Sequence, residues 1–332
     1  MQPETIGWYG LGSMGIKMAL NLQRYLSAQG MAPLRYSNRT LSKGEGLQKI
    51  GAIPEPEFEE LVNQSSIIFT MVGARLVPKS TWEIAHARQI TDDQVLEKLV
   101  AEVLQKDINL QGKIWIDTST VHPETCHTCF TKLTERGATF VASPVFGASP
   151  VAAEGKLIFA IAGTASAIDR LRPFIIDVMG RKMIEMGEDV RKSSLLKISG
   201  NIFVLGFQEL IAEAQVFAEK SELGTTQMEE FIGSMFGPVL QSYSKRMTSG
   251  AYAPPLNVTP GFSAALATKD CKHALSMARE NGTRLKTLEA ALGHLSAARE
   301  YAGESLDSSS MYGAVRMEAD LPFWNENSRQ SN

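Results

Sequence analysis

Residues 6–22, with the sequence IGWYGLGSMGIKMALNL, decide the fold that we predict for this chain. The apolar run at residues 5–9 contains β-branched and aromatic side chains and has the length of a β-strand. Residues 17–29, which follow the glycine-rich segment, repeat apolar side chains at helical spacing. Between such a strand and helix, glycines permit a tight turn, the close approach of a pyrophosphate and close helix packing. We therefore predict a dinucleotide-binding loop, and a purely structural glycine turn is the alternative.

The composition limits the classes of protein to which this chain can belong. Its 332 residues suffice for two domains, and a hydrophobic content of 44% allows a large core. A net charge of −3 gives no reason to expect nucleic acid or an acidic membrane as a partner. We find no apolar run that approaches the length of a membrane span, and the first strand begins too early for a signal peptide. Three cysteines cannot form a disulfide framework, so we expect a cytoplasmic protein.

The strand and helix patterns divide the chain into two domains and a tail. Strands alternate with helices over residues 1–187, which predicts an α/β domain with a doubly wound parallel sheet of the Rossmann type. Residues 188–320 predict an all-α domain that is entered through one long helix. The polar tail comprises residues 321–332, and we expect residues 325–332 to be disordered. The predicted helices of the second domain cover residues 189–221, 226–236, 238–248, 262–280, 286–302 and 307–317.

The residues after the second predicted strand indicate which dinucleotide binds. An NAD site usually has a carboxylate about 20 residues after the glycines, where it accepts a hydrogen bond from the ribose 2′-hydroxyl. This chain instead has Asn38, Arg39 and Thr40. A guanidinium can bind a 2′-phosphate through two hydrogen bonds, and Asn38 and Thr40 add donors. We predict NADP(H) rather than NAD(H), and the alternative is that Arg39 is a solvated surface charge.

Two further stretches follow predicted strands. The fourth strand leads into Asp117, Thr118, Ser119 and Thr120, and ligands of open parallel sheets bind at the carboxyl ends of strands. The fifth strand ends in residues 143–148, SPVFGA. The long segment 74–112, between the third and fourth strands, includes a helix-like stretch at residues 92–106. The segment is consistent with a lid or with a subunit contact, and the sequence does not decide between them.

Lys197 is the residue that we expect to carry the chemistry. It is the only charged residue in the stretch 193–208, SSLLKISGNIFVLGFQ. Its neighbours at helical spacing are small or polar, and Asn201 lies four residues later on the same side of the helix. A lysine in an apolar cleft has a lowered pKa and can exchange a proton. The alternative is a solvated lysine that extends from an apolar helix face.

Other chemistries have weaker support in the sequence. Cys126 and Cys129 form a CxxC pair, but no second pair follows, so we predict buried thiols rather than a metal site. The histidines show no ligand spacing, and Ser119 has no histidine and aspartate arrangement that indicates a nucleophile. We predict no metal.

The chain resembles the β-hydroxyacid dehydrogenase family, which includes 3-hydroxyisobutyrate dehydrogenase. The glycine segment, the Asn38 segment, the Asp117 segment, Lys197 with Asn201, and the pair Lys269 and Asp270 occur in the order of that family's motifs. The resemblance implies that the cofactor-binding residues are Gly10, Leu11, Gly12, Ser13, Met14, Gly15, Asn38, Arg39, Thr40, Met71, Val72, Thr120 and Lys269. It also implies that Lys197 transfers the proton and that Asn201 orients Lys197 or the substrate oxygen.

The predicted substrate segment departs from the family pattern. The family usually has Ser-Gly-Gly where this chain has Phe146, Gly147 and Ala148. We expect Ser119, Gly147 and the amide of Ala148 to hold the polar end of the substrate, and Phe146 to form an aromatic wall of the same site. One hydroxyl donor is replaced by an aromatic ring, which makes a bulkier or more apolar acid, or a carbonyl compound without a carboxylate, plausible.

The resemblance implies an NADPH-dependent oxidoreductase that acts on a carbonyl or hydroxyl carbon of a small acid-like molecule. It also implies a homodimer or higher homo-oligomer built on the helical domain. An imine-reducing enzyme and a non-catalytic NADP-binding interaction module are the alternatives. Lys197 argues against both, since imine-reducing relatives usually replace this lysine and a scaffold does not need it.

Overall fold

The computed structural model describes residues 4–73, 75–77, 88–90, 92–106 and 108–331. The chain divides into two compact units, Met1–Lys197 and Ile198–Asn332. The elements of the first unit, in chain order, are β1 (Ile6–Tyr9), α1 (Gly15–Ala28), β2 (Arg35–Ser37), a 3-10 turn (Leu41–Gly44), α2 (Glu45–Gln48), β3 (Ile53–Pro54), α3 (Phe58–Asn63), β4 (Ile67–Thr70), β5 (Arg75–Val77), β6 (Arg88–Ile90), α4 (Asp92–Gln105), β7 (Ile114–Asp117), α5 (Pro123–Thr134), β8 (Thr139–Ala142), β9 (Val145–Phe146), α6 (Ser149–Ala153), β10 (Leu157–Ile161), α7 (Ala165–Ile175) and β11 (Gly180–Glu185).

The first unit contains the predicted Rossmann-type sheet. Its six strands lie in the order β3-β2-β1-β4-β7-β8, and all neighbouring strands are parallel. Side chains alternate between the two faces of each strand. Ile67 and Phe69 of β4 therefore join the core with α1 and α7, whereas Ile68 joins the core with α3, α4 and α5. Because helices cover both faces, the central strands β1, β4 and β7 are apolar over most of their length.

The last strands of this unit differ from the prediction. We expected the strands near residues 157–162 and 182–185 to extend the same parallel sheet. Instead β10 and β11 pair with each other in a separate three-stranded sheet, in the order β11-β10-β9. The short strand β9 runs antiparallel to β10 and ends the parallel series.

The segment 74–112 contains the predicted helix and a strand pair. α4 occupies the stretch where the sequence indicates a helix, and β5 pairs antiparallel with β6. Residues 74, 78–87, 91 and 107 lie outside the described residues.

The second unit is helical, as predicted. Its elements follow α8 (Arg191–Lys220), which begins in the first unit, and are α9 (Thr225–Phe236), α10 (Pro238–Thr248), α11 (Ala264–Glu280), α12 (Lys286–Ala302), a 3-10 turn (Ser308–Ser310) and α13 (Met311–Glu318). Small side chains allow α11 and α12 to pack closely, and Ala267, Ala274, Ala291 and Ala298 are all buried in this core.

The division between the units falls later than the predicted boundary at residue 187. The first turns of α8 pack on the first unit, because the Ser193 hydroxyl donates to the carbonyl of Ala142 at 3.1 Å. Ser194 Oγ lies 3.0 Å from Cys126 Sγ on α5. These two buried contacts assign the start of the long helix to the sheet unit.

The expectation that no apolar run reaches membrane-spanning length needs correction at α8. Among the described residues, α8 alone is long and apolar enough to cross a membrane. Its most apolar 18-residue stretch has a mean hydropathy of 1.4. Length and composition alone are weak evidence, because a core helix of a globular protein passes the same test. α8 also buries Gln215, whose amide donates to Ser244 Oγ at 2.7 Å on α10. Such a buried polar contact favours packing against protein over packing against lipid.

The prediction of a disordered tail is wrong for the described residues up to 331. The backbone N–H of Asn325 donates to the Tyr252 hydroxyl at 2.7 Å. The Arg329 guanidinium donates to the carbonyls of Ala302 and Ser305, both at 2.8 Å. Ala302 ends α12, so Arg329 satisfies a carbonyl that lacks a partner within the helix. The polar composition therefore reflects capping of a helix end rather than disorder.

His294 links three helices of the second unit. On α12, its Nδ1 lies 2.5 Å from the buried Glu209 carboxylate on α8, and its Nε2 lies 3.1 Å from Glu318 on α13. The hydrogen bond with Glu209 is the main cause that raises the pKa of His294 to about 9. The protonated imidazole therefore stabilises the folded unit.

We predict a pH-dependent stability that depends on His294. Because its folded-state pKa is raised, its contribution is fully present below pH 6.5 and is lost as the pH rises through about 9. Thermal unfolding should show wild type more stable than His294→Gln by roughly 1–2 kcal/mol at pH 6. This difference should shrink towards pH 10. A difference that is independent of pH would contradict the linkage.

Candidate active site

The glycine loop between β1 and α1 is built from backbone contacts that exclude side chains. Gly10 has a φ of 101°, and a Cβ at this position would collide with the carbonyl oxygen of Met71. A Cβ at Gly15 would collide with the carbonyl oxygen of Gly10. A Cβ at Gly12, by contrast, would meet no described atom within 4 Å. Two glycines therefore close the loop, and the third leaves an exposed backbone that a pyrophosphate can approach.

The residues around the loop divide into supporting and exposed groups. Leu11 is buried and contributes its backbone N–H, which donates to Asn38 Oδ1 at 2.9 Å. Ser13 is exposed and Met14 is half-buried at the start of α1. The loop thus presents backbone and one hydroxyl rather than apolar side chains.

Asn38 has a different contact from the one that we expected. Its oxygen accepts from Leu11, and its Nδ2 donates to the carbonyl of Thr40 at 2.8 Å. Asn38 therefore ties the end of β2 to the glycine loop, rather than pointing an uncommitted donor at a phosphate. Arg39 and Thr40 are exposed beside it.

A buried carboxyl group connects the ends of β4 and β7. Asp117 Oδ1 accepts from the hydroxyls of Thr70 at 2.7 Å and of Ser119 at 2.8 Å. Trp115 Nε1 donates in turn to Thr70 Oγ1 at 3.2 Å. Burial raises the pKa of Asp117 to about 7, against the lowering effect of these hydrogen bonds. Asp117 belongs to a predicted motif but has no predicted role, and its only signal in the sequence is its acidic side chain at the end of an apolar strand.

Ser119 belongs to this internal network. Its hydroxyl donates to Asp117 and also accepts from the backbone N–H of Val72 at 2.8 Å, and the residue is 1% exposed. It holds the segment after β4 in place. Thr120, the next residue, is half-buried. Met71 packs against the glycine loop through its backbone and accepts at Sδ from Thr118 Oγ1 at 3.1 Å.

The substrate segment predicted from the sequence lies beside the glycine loop. Phe146 ends β9, and Gly147 follows with a φ of 125° and no space for a Cβ beside Leu157. Ala148 precedes α6, whose first residue, Ser149, donates its hydroxyl to the carbonyl of Ser13 at 3.1 Å. That hydrogen bond joins the segment to the glycine loop.

Lys197 lies against this segment. The side chain is half-buried, and Nζ is 4.7 Å from the centre of the Phe146 ring. A cation at this distance from an aromatic face is attracted by the ring quadrupole. Lys197, the predicted proton carrier, and Phe146, a predicted substrate-binding residue, are therefore direct neighbours.

Asn201 is fixed within the second unit. It is 3% exposed, and its Nδ2 donates to Asp270 Oδ2 on α11 at 2.6 Å. Lys269 Nζ lies 3.4 Å from the other carboxylate oxygen of Asp270. The carboxylate thus sets the orientation of the Asn201 amide and attracts the Lys269 ammonium. Helical periodicity alone could not identify this contact, because it joins α8 to α11.

The cysteines lie outside this chemistry. All three are buried, and burial raises the pKa of each thiol, so they stay protonated and unreactive at neutral pH. Among the described residues, no group of histidine, cysteine and carboxylate side chains has the arrangement to hold a metal ion.

Comparison with known proteins places both units in one family. The NAD binding domain of 6-phosphogluconate dehydrogenase matches residues 5–187. The NAD-binding domain of NADP-dependent 3-hydroxyisobutyrate dehydrogenase matches residues 192–315. Together, these matches cover nearly all the residues that carry the site.

Individual relatives extend over the whole chain. The NADH-dependent oxidoreductase ucdB of Aspergillus ustus is 31% identical, over 93% of this chain and 98% of the relative. Glyoxylate/succinic semialdehyde reductase 1 of Arabidopsis thaliana is 27% identical, over 94% and 98%. The structure of Mycobacterium tuberculosis 3-hydroxyisobutyrate dehydrogenase with L-serine covers 95% of this chain and 100% of its own, with a TM-score of 0.72 at 23% identity, which shows a common fold.

The open backbone at Gly12 fits a nicotinamide dinucleotide, and the two matching domains are those of enzymes that use one. The chain belongs to the β-hydroxyacid dehydrogenase family of NAD(P)-dependent oxidoreductases.

Proposed function

We propose that this chain is an NADPH-dependent oxidoreductase that interconverts a carbonyl and a hydroxyl group on a small β-hydroxyacid-like substrate, with Lys197 as general acid and base. The observation that carries the proposal is the placement of Lys197. Its ammonium lies against Phe146 in a half-buried position, on a helix whose first turn is anchored to the sheet unit.

The residues of the chain would share the reaction as follows. When bound, the cofactor supplies or accepts the hydride. In reduction Lys197 Nζ donates a proton to the oxygen of the new alkoxide, and in oxidation it takes that proton back. Asn201 lies one helical turn later, and its amide is oriented by Asp270. Lys269 Nζ lies 3.4 Å from the same carboxylate, and the family resemblance assigns this lysine to cofactor binding.

The substrate would be held by backbone and by an aromatic wall. The amides of Gly147 and Ala148 can bind a carboxylate or carbonyl oxygen, and Phe146 gives the site an apolar surface. Ser119, whose hydroxyl already bonds within the protein, supports this region through Val72 instead of binding the substrate directly. This lining favours a small acid with an apolar part over a strongly polar one.

Lys197→Ala should reduce turnover by about 10² or more, because the proton loses its carrier. Binding of NADPH should stay close to wild type. A panel of glyoxylate, succinic semialdehyde, 3-hydroxyisobutyrate and a cyclic imine, followed by NADPH absorbance, identifies the substrate. The matched control is Lys192→Ala, an exposed lysine on the same helix. Unchanged turnover in Lys197→Ala would refute the proton-transfer role, and turnover of the imine alone would favour the imine-reducing alternative.

The preference for NADPH rests on Arg39. Its exposed guanidinium follows β2 beside the glycine loop, and residues 38–40 include no carboxylate that could bind a ribose 2′-hydroxyl. The relative from Aspergillus ustus is named for NADH, so NADH is the competing cofactor.

Arg39→Asp should weaken NADPH more than NADH, by roughly 1–2 kcal/mol in relative binding, because it removes a partner of the 2′-phosphate and adds a like charge. Fluorescence titration of both cofactors measures the two dissociation constants. Arg181→Asp, an exposed arginine on β11, is the control for overall charge. Equal losses for both cofactors would contradict the 2′-phosphate contact.

We also propose a homodimer that buries one face of α8. Phe203, Phe207, Leu210 and Phe217 recur at intervals of three, four and seven residues along this helix, and all four are exposed. Phe203 is 66% and Phe217 65% exposed, which is unusual for large apolar side chains on one helix face. A second copy of the chain, meeting the same stripe, would remove them from water.

Sedimentation or light scattering should therefore give a dimeric mass for the wild type at micromolar concentration. Phe203→Asp should shift the protein to monomer, because a charge cannot be buried without a partner. Ile184→Asp, on an exposed strand of the first unit, should leave the dimer intact. A monomeric wild type, or a dimer that survives both substitutions, would refute this interface.

A further inference from the structure

Phe146 is held in a defined orientation by its strand. β9 pairs antiparallel with β10, with Val145 opposite Phe159 and Phe146 opposite Ile158. Val145 is buried in the core of the sheet unit. Because side chains alternate along a strand, Phe146 projects to the opposite face, where its ring meets Lys197 Nζ at 4.7 Å.

The helix that carries Lys197 is fixed against the same unit. Ser193 donates to the carbonyl at the end of β8, and Ser194 contacts Cys126 on α5. Lys197 lies one turn after these buried contacts. The backbone of Lys197 and the ring of Phe146 are therefore held by the same sheet unit.

We propose that Phe146 is a positioning residue, whose ring face holds the Lys197 ammonium in the orientation from which it exchanges a proton with the substrate. This inference rests on the proposed function of Lys197. An aromatic face suits the task because it attracts the cation without being a strong hydrogen-bond acceptor. A carboxylate in the same place would bind the ammonium N–H groups and hold the proton. The ring attracts Nζ without itself accepting a strong hydrogen bond from the ammonium.

This role also gives a function to Phe146, which stands where the family usually has the serine of Ser-Gly-Gly. A serine at position 146 would offer a hydroxyl to the substrate but no quadrupole to the ammonium. With phenylalanine, the strand end holds the lysine, and Gly147 and Ala148 keep their backbone N–H groups in the adjoining turn. Specificity and proton transfer are then coupled at one position.

The first test is spectroscopic and requires no turnover. Reductive methylation with ¹³C-formaldehyde converts each lysine to a dimethylammonium that keeps its charge and gives one methyl NMR signal. The Lys197 signal is assigned by its absence in Lys197→Arg. We expect this signal upfield of the exposed lysines through the ring current of Phe146. It should move to the position of the exposed lysines in Phe146→Leu and stay upfield in Phe146→Tyr.

The second test is kinetic and uses the panel compound with the highest turnover. Phe146→Leu keeps an apolar side chain but loses the ring, and should lower kcat by about 3- to 30-fold while KM changes less. Phe146→Tyr, which retains a ring face, should restore most of the turnover. Phe130→Leu on α5, whose ring stacks on His127, is the matched control and should behave as wild type.

The outcomes separate this inference from the proposed function. An unshifted Lys197 signal in the wild type, or a Phe146→Leu enzyme with unchanged kcat, would overturn the positioning role even if Lys197→Ala is inactive. A Phe146→Tyr enzyme as impaired as Phe146→Leu would also overturn it, because the ring would then not be the active feature. Turnover that survives in Lys197→Ala would instead refute the proposed function, and the methyl signal would still report whether the ring holds the ammonium.

Discussion

The close approach of three backbone segments at the glycine loop is the constraint on which the rest of the site depends. Gly10 lies against the carbonyl of Met71, and Gly15 lies against the carbonyl of Gly10, with no space for a Cβ at either position. This contact brings the start of α1 next to the end of β4. Since parallel strands end at the same edge of the sheet, it also brings the loop beside the segment that follows β7. The hydrogen bond from Ser149 to Ser13 places the segment after β9 beside the loop as well.

Hydrogen bonds then hold the surrounding segments in register with that loop. Asn38 ties the end of β2 to Leu11, Ser149 ties the segment after β9 to Ser13, and Ser119 ties the segment after β7 to Val72. The Ser119 bond depends on Asp117, whose carboxyl group is buried and has a pKa of about 7. A polar network of this kind is costly unless its groups find partners, and here it fixes the ends of two central strands.

The long helix α8 combines three roles along one sequence. Its first turn is anchored in the sheet unit, and the next turn presents Lys197 beside Phe146. Farther along, buried Asn201, Glu209 and Gln215 make contacts with α11, α12 and α10. A third face exposes a stripe of large apolar side chains. These mixed demands explain why the helix is apolar enough to resemble a membrane span and yet contains buried polar groups.

The sequence by itself determined the Rossmann-type sheet, the all-α second part and the glycine loop, because these follow from local periodicity and from the conformations that glycine allows. It also identified Lys197, the only charge in an otherwise apolar or small-residue stretch, as the distinctive residue. Tertiary structure decided the rest, because those features depend on contacts between residues distant in the chain. These features are the separate sheet of β9, β10 and β11 and the packed tail around Arg329. They also include the hydrogen bonds that engage Asn38 and Ser119 within the protein, the pairing of Asn201 with Asp270, and the contact between Lys197 and Phe146. A sequence pattern shows which side chains are unusual, but only the fold determines which of them meet.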